Sequence, residues 1–453
     1  MDSKKNAAKI CLLIGLCFLW TGSGYLTWMY RLLEFYPTAS VDILTEVVGY
    51  IFQIIGLISF SVCCKRRAEI LNSKKGFIFV MVGDLCLIAL SALAWNGPSA
   101  LFFGYCMNFF HGIVAGFYLT MLVTHVSQQH RGRVFGLGYG IGSIGSWILS
   151  LAGNGNFLQS GYVLITYVVL TGISIFLYIS MDSADISGVD QSIANRHTVS
   201  PNFVLLVGIT LFLLSAVKNV GFYFPTADLS AGNISLEFTR AFYAFGLIIA
   251  GFISDRNRKY GAVCCIAALV FPFAMLVLLA DAGSSAILWI VGYVFFGFFV
   301  VYRAIVFVDL AGKCESNLFL AGLGLMFGRV GDVVGATLGI CLVNRISLLV
   351  ILTAIVFIIT IFVFFVFYQK MYFPLFPEGK NTELLLEDFS KMYGLSPREK
   401  EVFSLIKEGR SNLEIASDLY ISENTVKFHI KNILKKTMCS NRTELITLFK
   451  SNK

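Results

Sequence analysis

Three lysines near the end of the chain, Lys427, Lys431 and Lys435, recur at every fourth position. In a helix this spacing places the three ammonium groups on one face. Such a row can be merely a solvated surface, but ammonium groups also donate hydrogen bonds to phosphate oxygens and to guanine acceptors in the major groove of DNA. Phe428 and Asn424 extend the row, and an exposed aromatic ring can contact a thymine methyl group. The row is therefore a candidate recognition surface for duplex DNA.

The segment around the lysine row carries clear helix start and stop signals. Ser396-Pro397-Arg398-Glu399 and Ser411-Asn412-Leu413-Glu414 are both predicted capping boxes, and Gly409 is expected to end the helix between them. Further helices are expected after Ser422, at about 423–437, and after Asn441. A short turn between a compact helix and the lysine-bearing helix is the arrangement that a major-groove recognition helix requires. The segment is thus predicted to be a four-helix unit containing a helix-turn-helix.

The same segment resembles the LuxR-type DNA-binding domain over nearly all of residues 389–450. The resemblance is carried by the runs Gly394-Leu-Ser-Pro-Arg-Glu-Lys-Glu-Val402, Gly409-Arg-Ser-Asn-Leu-Glu-Ile-Ala416 and Ile421-Ser-Glu-Asn-Thr-Val-Lys-Phe-His-Ile430. It implies base contacts from Lys427, Phe428 and Lys431. It also implies that Thr425, Ser411 and Asn412 lie near the phosphate backbone. Because such modules read paired half-sites, a homodimer on double-stranded DNA is expected, with RNA polymerase as a further partner.

The first 370 residues differ sharply in composition from this tail. The whole chain is 57% hydrophobic and 14% charged, whereas soluble proteins carry about 25% charged residues. After Lys370 there are 24 charged residues in 83 positions, against 38 in the preceding 370. The composition predicts a transmembrane bundle at 1–370, a linker at 371–388 and a DNA-binding domain at 389–453.

Apolar runs of about the 20 residues needed to cross a bilayer recur along the first part of the chain. They are predicted at 9–29, 43–63, 76–95, 101–124, 134–151, 161–181, 203–224, 238–254, 262–280, 284–308, 318–343 and 347–368. One set of alternate connections carries sixteen Lys and Arg residues, whereas the other set carries three. Since excess positive charge marks the cytoplasmic side, both termini are expected in the cytoplasm of a bacterial cell, with the bundle in its inner membrane.

An internal repeat divides the predicted bundle into two halves of six helices. Residues 136–145 read GLGYGIGSIG and residues 322–331 read GLGLMFGRVG, each at the start of the fifth span of its half. Such repeats are typical of transporters, with a ligand site near the midplane between the halves. The loop from Gly251 to Lys259 resembles the GxxxDRxGRK-like loop of the major facilitator superfamily, and Asp255 within it can cap a helix. The fold class expected is therefore all-α: a polytopic, major-facilitator-like bundle followed by a four-helix LuxR-type domain.

Five ionisable residues fall inside predicted spans, where charge is costly and points to function. They are Asp84, Lys218, Arg303, Arg329 and Asp332. Lys218 and Arg303 would suit an anionic ligand. Arg329 and Asp332, three residues apart, either neutralise each other or contribute to a ligand site. Asp84 is equally consistent with a structural polar contact.

The sequence therefore predicts a one-component transcriptional regulator that binds promoter DNA in response to a small molecule sensed by the membrane part. The alternatives are a secondary transporter with a regulatory DNA-binding tail, and a regulator whose bundle serves only as an anchor. An enzyme is not expected, because the sequence contains no nucleophile–base set and no phosphate-cradling loop. No metal-ligand spacing appears among the 11 cysteines, so no metal and no cofactor are expected.

Overall fold

The protein is described as a computed structural model over residues 2–67, 70, 73–152, 161–181, 199–220, 236–270, 282–342, 344–373, 381–407 and 409–451. Within these residues every regular element is a helix. The chain divides into two compact units, Met1–Tyr368 and Gln369–Lys453. The predicted linker at 371–388 falls partly outside the described residues.

The first unit is built from long helices. Their bounds are α1 Asp2–Leu33, α2 Thr38–Asp42, α3 Tyr50–Arg66, α4 Lys74–Ala92, α5 Gly97–His125, α6 Arg131–Ala152, α7 Gly161–Ile179, α8 Pro201–Val220, α9 Leu236–Arg256, α10 Arg258–Cys265, α11 Ala282–Ala311, α12 Leu323–Leu342 and α13 Ile346–Tyr372. A π-helical stretch, Ile43–Gly49, joins α2 to α3. The sequence pattern gives no sign of that stretch, since it predicts only an apolar helix there.

In the described part of the chain, eight helical stretches are long and apolar enough to cross a membrane, and a shorter apolar helix spans Leu164–Ile179. They correspond to nine of the twelve predicted spans. Two further predicted spans, 134–151 and 238–254, coincide with α6 and α9. Only part of the span predicted at 262–280 is described: α10 ends at Cys265 and a 3₁₀ turn follows at Ile266–Val270. Residues 271–280 lie outside the described residues.

Glycines of α6 and of α12 both allow close approach to the first helix of their own half, although not at the same positions of the repeat. In the first half, a Cβ atom at Gly138 or Gly142 of α6 would overlap backbone oxygens of α1. In the second half, a Cβ atom at Gly331 or Gly335 of α12 would overlap backbone oxygens of α8. Helices can approach this closely only where side chains are absent, as at the small-residue interfaces of membrane proteins. The pairing of the fifth helix with the first therefore recurs in both halves, whereas Gly324 and Gly328, the counterparts of Gly138 and Gly142, lie against Arg303 of α11.

Asp255, near the end of α9, caps a helix of the other half. Its carboxylate accepts hydrogen bonds from the backbone N–H groups of Gly132 at 2.7 Å and Arg133 at 2.9 Å, at the start of α6. These amides would otherwise be without partners at a helix N-terminus, and a carboxylate also interacts favourably with the helix dipole there. The loop that resembles the major facilitator superfamily thus joins the two halves of the bundle.

The second unit folds around its own apolar core. Its helices are α14 Asn381–Met392, α15 Pro397–Lys407, α16 Asn412–Asp418, α17 Glu423–Thr437 and α18 Arg442–Ser451. The core contains Leu386, Phe389, Val402, Phe403, Ile406, Ile415, Ala416, Val426, Ile433, Leu445 and Phe449. Phe389 of α14 lies 5.1 Å from the ring of Phe403 in α15 and 5.1 Å from that of Phe449 in α18, so α14 packs against these two helices.

Candidate functional site: an exposed lysine row and a buried charge cluster

The lysine-bearing helix, α17, is held in the second unit by one face and exposes the other. Ser422 caps its start by accepting a hydrogen bond from the backbone of Thr425 at 3.1 Å. Val426 and Ile433 are fully buried, and Thr437 is nearly so. The three-four spacing of these side chains turns one stripe of the helix to the core, which leaves the opposite stripe in solvent.

The exposed stripe of α17 carries the predicted recognition residues. Lys427, Lys431, Lys435 and Asn424 are exposed, and the ring of Phe428 is 61% exposed. Glu423 forms an ion pair with Lys427 at 2.9 Å, one helical turn away, and both side chains are about half exposed. The ring of Phe428 contacts that of His429 at a centroid distance of 5.8 Å and is otherwise accessible to a partner.

An open depression of about 400 Å³ runs along this face. It is lined by Asn412, Lys427, Ile430, Lys431, Leu434, Lys435, Cys439 and Ser440. The three lysines thus border one continuous surface, together with Asn412 at the start of α16. A polyanion lying in this depression would meet all three ammonium groups at once.

The three remaining predicted contacts lie at the N-termini of α16 and α17. Ser411 and Glu414 form a reciprocal capping box, with Ser411 N–H donating to the Glu414 carboxylate at 2.7 Å. Asn412 is the first residue of α16 and is partly exposed. Thr425 shares a 2.8 Å hydrogen bond with the Ser422 hydroxyl. Helix N-termini favour anions, so these positions are compatible with nearby phosphates.

Lys436, which the sequence reasoning did not single out, has a different role from its neighbour Lys435. Its ammonium group lies 2.6 Å from a carboxylate oxygen of Glu399 and donates to the carbonyl oxygen of Gly394 at 2.9 Å. The same carboxylate accepts a hydrogen bond from the backbone of Ser396 at 2.7 Å. Lys436 therefore joins the end of α17 to the start of α15.

The ionisation of Glu399 reflects these contacts. Burial of its carboxyl group opposes ionisation, but the hydrogen bonds from Lys436 and Ser396 outweigh burial, so its pKa lies below the ordinary value. Glu414 and Glu444 also have lowered pKa values, because each accepts hydrogen bonds at a helix start, from Ser411 and Ser440 respectively.

In the first unit, four of the five ionisable residues predicted in spans come together around one carboxylate. Asp332 of α12 lies 3.0 Å from Lys218 of α8, 3.4 Å from Arg303 of α11 and 3.5 Å from Arg329. Ser215 donates a hydrogen bond to the same carboxylate at 2.5 Å. We call these five residues the Asp332 cluster. The interpretation of Arg329 and Asp332 as a simple pair is too narrow, because Lys218 is closer to the carboxylate than Arg329 is.

The cations of the Asp332 cluster also lie against aromatic rings. Lys218 is 4.3 Å from the ring centroid of Phe296, and Arg303 is 5.4 Å from that of Phe299. Arg329 lies 4.1 Å from the ring of Tyr50, which belongs to α3 in the first half. Cations at these distances are attracted by the ring quadrupole. The cluster is therefore built on the second half and contacts the first half through Arg329.

Asp84 lies apart from this cluster. It is fully buried in α4, and its carboxylate is 3.4 Å from Nε2 of His111 in α5. Among the described side chains it contacts no member of the Asp332 cluster. The described residues contain no group of three or more His, Cys, Asp or Glu side chains that could hold a metal ion.

Comparison with known families agrees with the architecture of the second unit. Residues 394–449 match the family model described as bacterial regulatory proteins, luxR family. The tail is 47% identical over 58 residues to the CsgBAC operon transcriptional regulatory protein of Escherichia coli (strain K12), an alignment that covers 13% of this chain and 27% of that protein. The chain thus spans only about a quarter of this curated relative. The second unit contains a LuxR-type helix-turn-helix domain.

Comparison with solved structures concerns mainly the first unit. The crystal structure of the human organic anion transporter MFSD10 (TETRAN) aligns with a TM-score of 0.59 at 10% sequence identity, over 80% of this chain and 100% of that one. The E. coli fucose:proton symporter FucP aligns with a TM-score of 0.54 at 14% identity, over 82% of this chain and 99% of that one. At such low identity the likeness concerns the fold alone. The membrane unit has the fold of major facilitator transporters.

Proposed function

We propose that the protein is a membrane-bound transcriptional regulator whose helical bundle senses a small molecule and whose tail binds promoter DNA. The single observation that carries the proposal is the presence of both units on one chain: a LuxR-type domain with an exposed lysine row follows a major-facilitator bundle with buried charges. The bundle lies in the bacterial inner membrane with both termini in the cytoplasm, where the tail can reach DNA. Residues 1–370 then form the sensor and residues 389–453 the output domain.

The DNA contacts follow from the exposed face of α17. Lys427, Lys431 and Phe428 reach base edges, and Lys435 and Asn424 extend this surface. Ser411, Asn412 and Thr425 lie near phosphates at two helix starts. Because the domain reads paired half-sites, two chains bind one operator as a homodimer.

Sensing requires that the ligand bind two states of the bundle with different affinities. The connection between the two halves at Asp255 and the contact between Arg329 and Tyr50 are interactions that such states would make or break. A change between the halves would then alter the availability or pairing of the tails.

The DNA-binding part of the proposal is tested in cells by genome-wide mapping of bound sites. The double variant Lys427→Ala plus Lys431→Ala is expected to lose at least tenfold in occupancy, since each good base contact contributes about 1–3 kcal/mol. Lys391→Ala, which removes an exposed lysine of α14, is the matched control and is expected to bind normally. Full occupancy by the double variant would refute the recognition face.

The sensing part is tested by replacing residues 1–370 with one unrelated transmembrane span. Expression from the target promoter is expected to lose its dependence on added small molecules. Retained dependence would mean that the bundle is only an anchor.

A second candidate function is secondary transport with a regulatory tail, and the fold itself favours it, because both solved relatives described above are named as a transporter or a symporter. Counterflow of a labelled ligand in proteoliposomes distinguishes the two. Flux across the bilayer supports transport, whereas ligand binding without flux supports a receptor.

A further inference from the structure

We propose that the lysine row of α17, formed by Lys427, Lys431 and Lys435, also binds anionic lipid headgroups of the inner leaflet. The membrane and DNA then compete for the same face of the tail. This inference deepens the proposed function, because it adds a second partner for the DNA-binding face, and it rests on that function for the position of the tail in the cytoplasm. Three observations support it: the charge of the face, the apolar side chains beside it and the short connection to the bundle.

The first argument is the charge of the depression that runs along α17. The three lysines of the row line it, and none of its other lining residues is acidic, so no carboxylate within the depression opposes an anion. All three lysines are exposed, and Lys427 alone forms an ion pair, with Glu423 at the rim. Lipid headgroups present phosphate groups, as DNA does, and each lysine close to an anionic leaflet is attracted to it. The depression therefore suits a headgroup as well as a nucleic acid phosphate.

The second argument is the apolar surface beside the lysines. Phe428 is 61% exposed, and Met438, directly after α17, is 92% exposed. Ile430 and Leu434 also line the depression. Side chains of this kind insert among lipid headgroups, while neighbouring lysines contact the phosphates, as on the amphipathic surfaces that bind anionic membranes. DNA offers few apolar partners apart from thymine methyl groups, so the combination favours a lipid surface as the second partner.

The third argument is the short connection between the bundle and the tail. The last apolar helix of the bundle, α13, ends at Tyr372, and α14 of the tail begins at Asn381. Even when fully extended, a connection of this length spans only about 30 Å. Lipid headgroups are therefore present near the tail at a high effective concentration, which favours binding even where the affinity for a single headgroup is low.

The experiment measures how fast single lysines of the full-length protein react with a water-soluble acetylating reagent in the absence of DNA. The protein is placed in nanodiscs of phosphatidylcholine alone, or of phosphatidylcholine and phosphatidylglycerol in equal parts, and mass spectrometry follows each lysine. The three lysines of the row are expected to react at least about threefold more slowly in the anionic nanodiscs. Lys391, an exposed lysine of α14 outside the depression, is the control and is expected to be unaffected. If the lysine row reacts equally fast in both lipids, or if Lys391 is slowed as much, the proposal is wrong.

Competition is then measured with a duplex promoter fragment taken from the mapped sites. The fragment is expected to bind about tenfold more weakly in the anionic nanodiscs, and equal affinity in the two lipids would overturn the competition. A negative membrane also repels DNA, so weaker binding without protection of the lysine row would mean simple repulsion and would refute the lipid contact. Absence of DNA binding in phosphatidylcholine would instead refute the proposed function, whereas protection of the lysine row by phosphatidylglycerol would still support the lipid contact.

The variant Met438→Asn separates the lipid contact from the DNA contact. Met438 has a φ of 55°, a left-handed conformation that asparagine tolerates, so the tail is expected to keep its fold. Loss of the apolar side chain should reduce the protection of the lysine row in anionic nanodiscs, while DNA binding in phosphatidylcholine stays unchanged. Tyr420→Asn is the matched control, because Tyr420 is also exposed, also has a φ of 55° and does not line the depression. Full protection in Met438→Asn, or an equal loss in both variants, would contradict the proposed lipid contact.

Discussion

Asp255 and Gly132 are 123 positions apart in sequence, yet a carboxylate oxygen of Asp255 accepts a 2.7 Å hydrogen bond from the backbone of Gly132. The carboxylate also accepts from Arg258 at 2.9 Å, and Arg258 in turn contacts Asp309 at 2.7 Å. Asp309 lies 3.2 Å from Arg131, the residue before Gly132. The start of α6 in the first half is therefore held on two sides by carboxylates of the second half, at the end of the bundle for which the loop charges predict a cytoplasmic position.

Removing the Asp255 carboxylate is expected to loosen this connection. Asp255→Ala leaves two backbone donors of α6 without their acceptor, and loss of a helix cap alone costs about 0.5–2 kcal/mol. Hydrogen exchange in residues 129–134 of the full-length protein is expected to become faster. The control is Glu34→Ala, which removes an exposed ion pair with Arg31 and is expected to have little effect. Unchanged exchange in Asp255→Ala would show that the cap does not hold the halves together.

Local features of this chain could be read from the sequence because each depends on neighbouring residues. The capping box predicted at Ser411 and Glu414 is present, with both of its hydrogen bonds formed. The hydrogen bonds predicted between Ser396 and Glu399 are present as well. The all-α fold class with a major-facilitator-like bundle and a LuxR-type tail is confirmed by the comparisons.

Contacts between distant residues could not be read in the same way. The spacing of Arg329 and Asp332 indicates a pair on one helix, but only the packing of α12 against α8 and α11 brings Lys218 and Arg303 to the same carboxylate. The contact between Lys436 and Glu399 is another example. The sequence shows the lysines of this helix, but it does not show that Glu399, 37 positions earlier, lies beside Lys436. The distance in sequence between partners, rather than their chemistry, limits such predictions.

The glycines of α12 make the approach of α8 possible, and this can be tested with alanine. At Gly335 a methyl group would overlap the carbonyl oxygen of Ala216, whereas at Gly172 of α7 nothing lies within 4 Å. Gly335→Ala is therefore expected to separate α12 from α8 and to destabilise the bundle by about 1–3 kcal/mol. Gly172→Ala, the matched control, is expected to leave the melting temperature in detergent unchanged or slightly higher. Equal melting temperatures of the two variants would contradict the close packing.

The adjacent residues Lys435 and Lys436 are expected to separate DNA binding from stability. Lys435→Ala removes an exposed ammonium group from the proposed recognition face. The variant should bind DNA more weakly, and its affinity should depend less on salt concentration, while the stability of the tail stays unchanged. Lys436→Ala removes the contact with Glu399, so it should destabilise the tail by about 1–3 kcal/mol. The two measurements are promoter binding at several salt concentrations and hydrogen exchange of tail peptides in the full-length protein. If both variants lose stability and binding equally, the division of roles is wrong.

The lowered pKa of Glu399 makes the stability of the tail dependent on pH in the acid range. Because the carboxyl group is a stronger acid in the folded tail than in the unfolded chain, its contribution is fully present above the ordinary value of 4.5 and is lost as the pH falls through the folded-state pKa. Glu399→Gln is expected to be less stable than the unaltered protein at pH 7, and the difference is expected to shrink below pH 4.5. The measurement is the opening free energy of α15 amides in the full-length protein, from hydrogen exchange corrected for intrinsic rates.

Glu401→Gln is the appropriate comparison for this pH dependence, because Glu401 lies on the same helix but is 52% exposed and pairs with Arg398 at the surface. An exposed pair contributes about 0–1 kcal/mol, so this variant should follow the unaltered protein at every pH. The difference in opening free energy between Glu399→Gln and the unaltered protein could instead stay constant down to pH 3. That result would mean that packing, and not the ion pair between Glu399 and Lys436, connects α15 to α17.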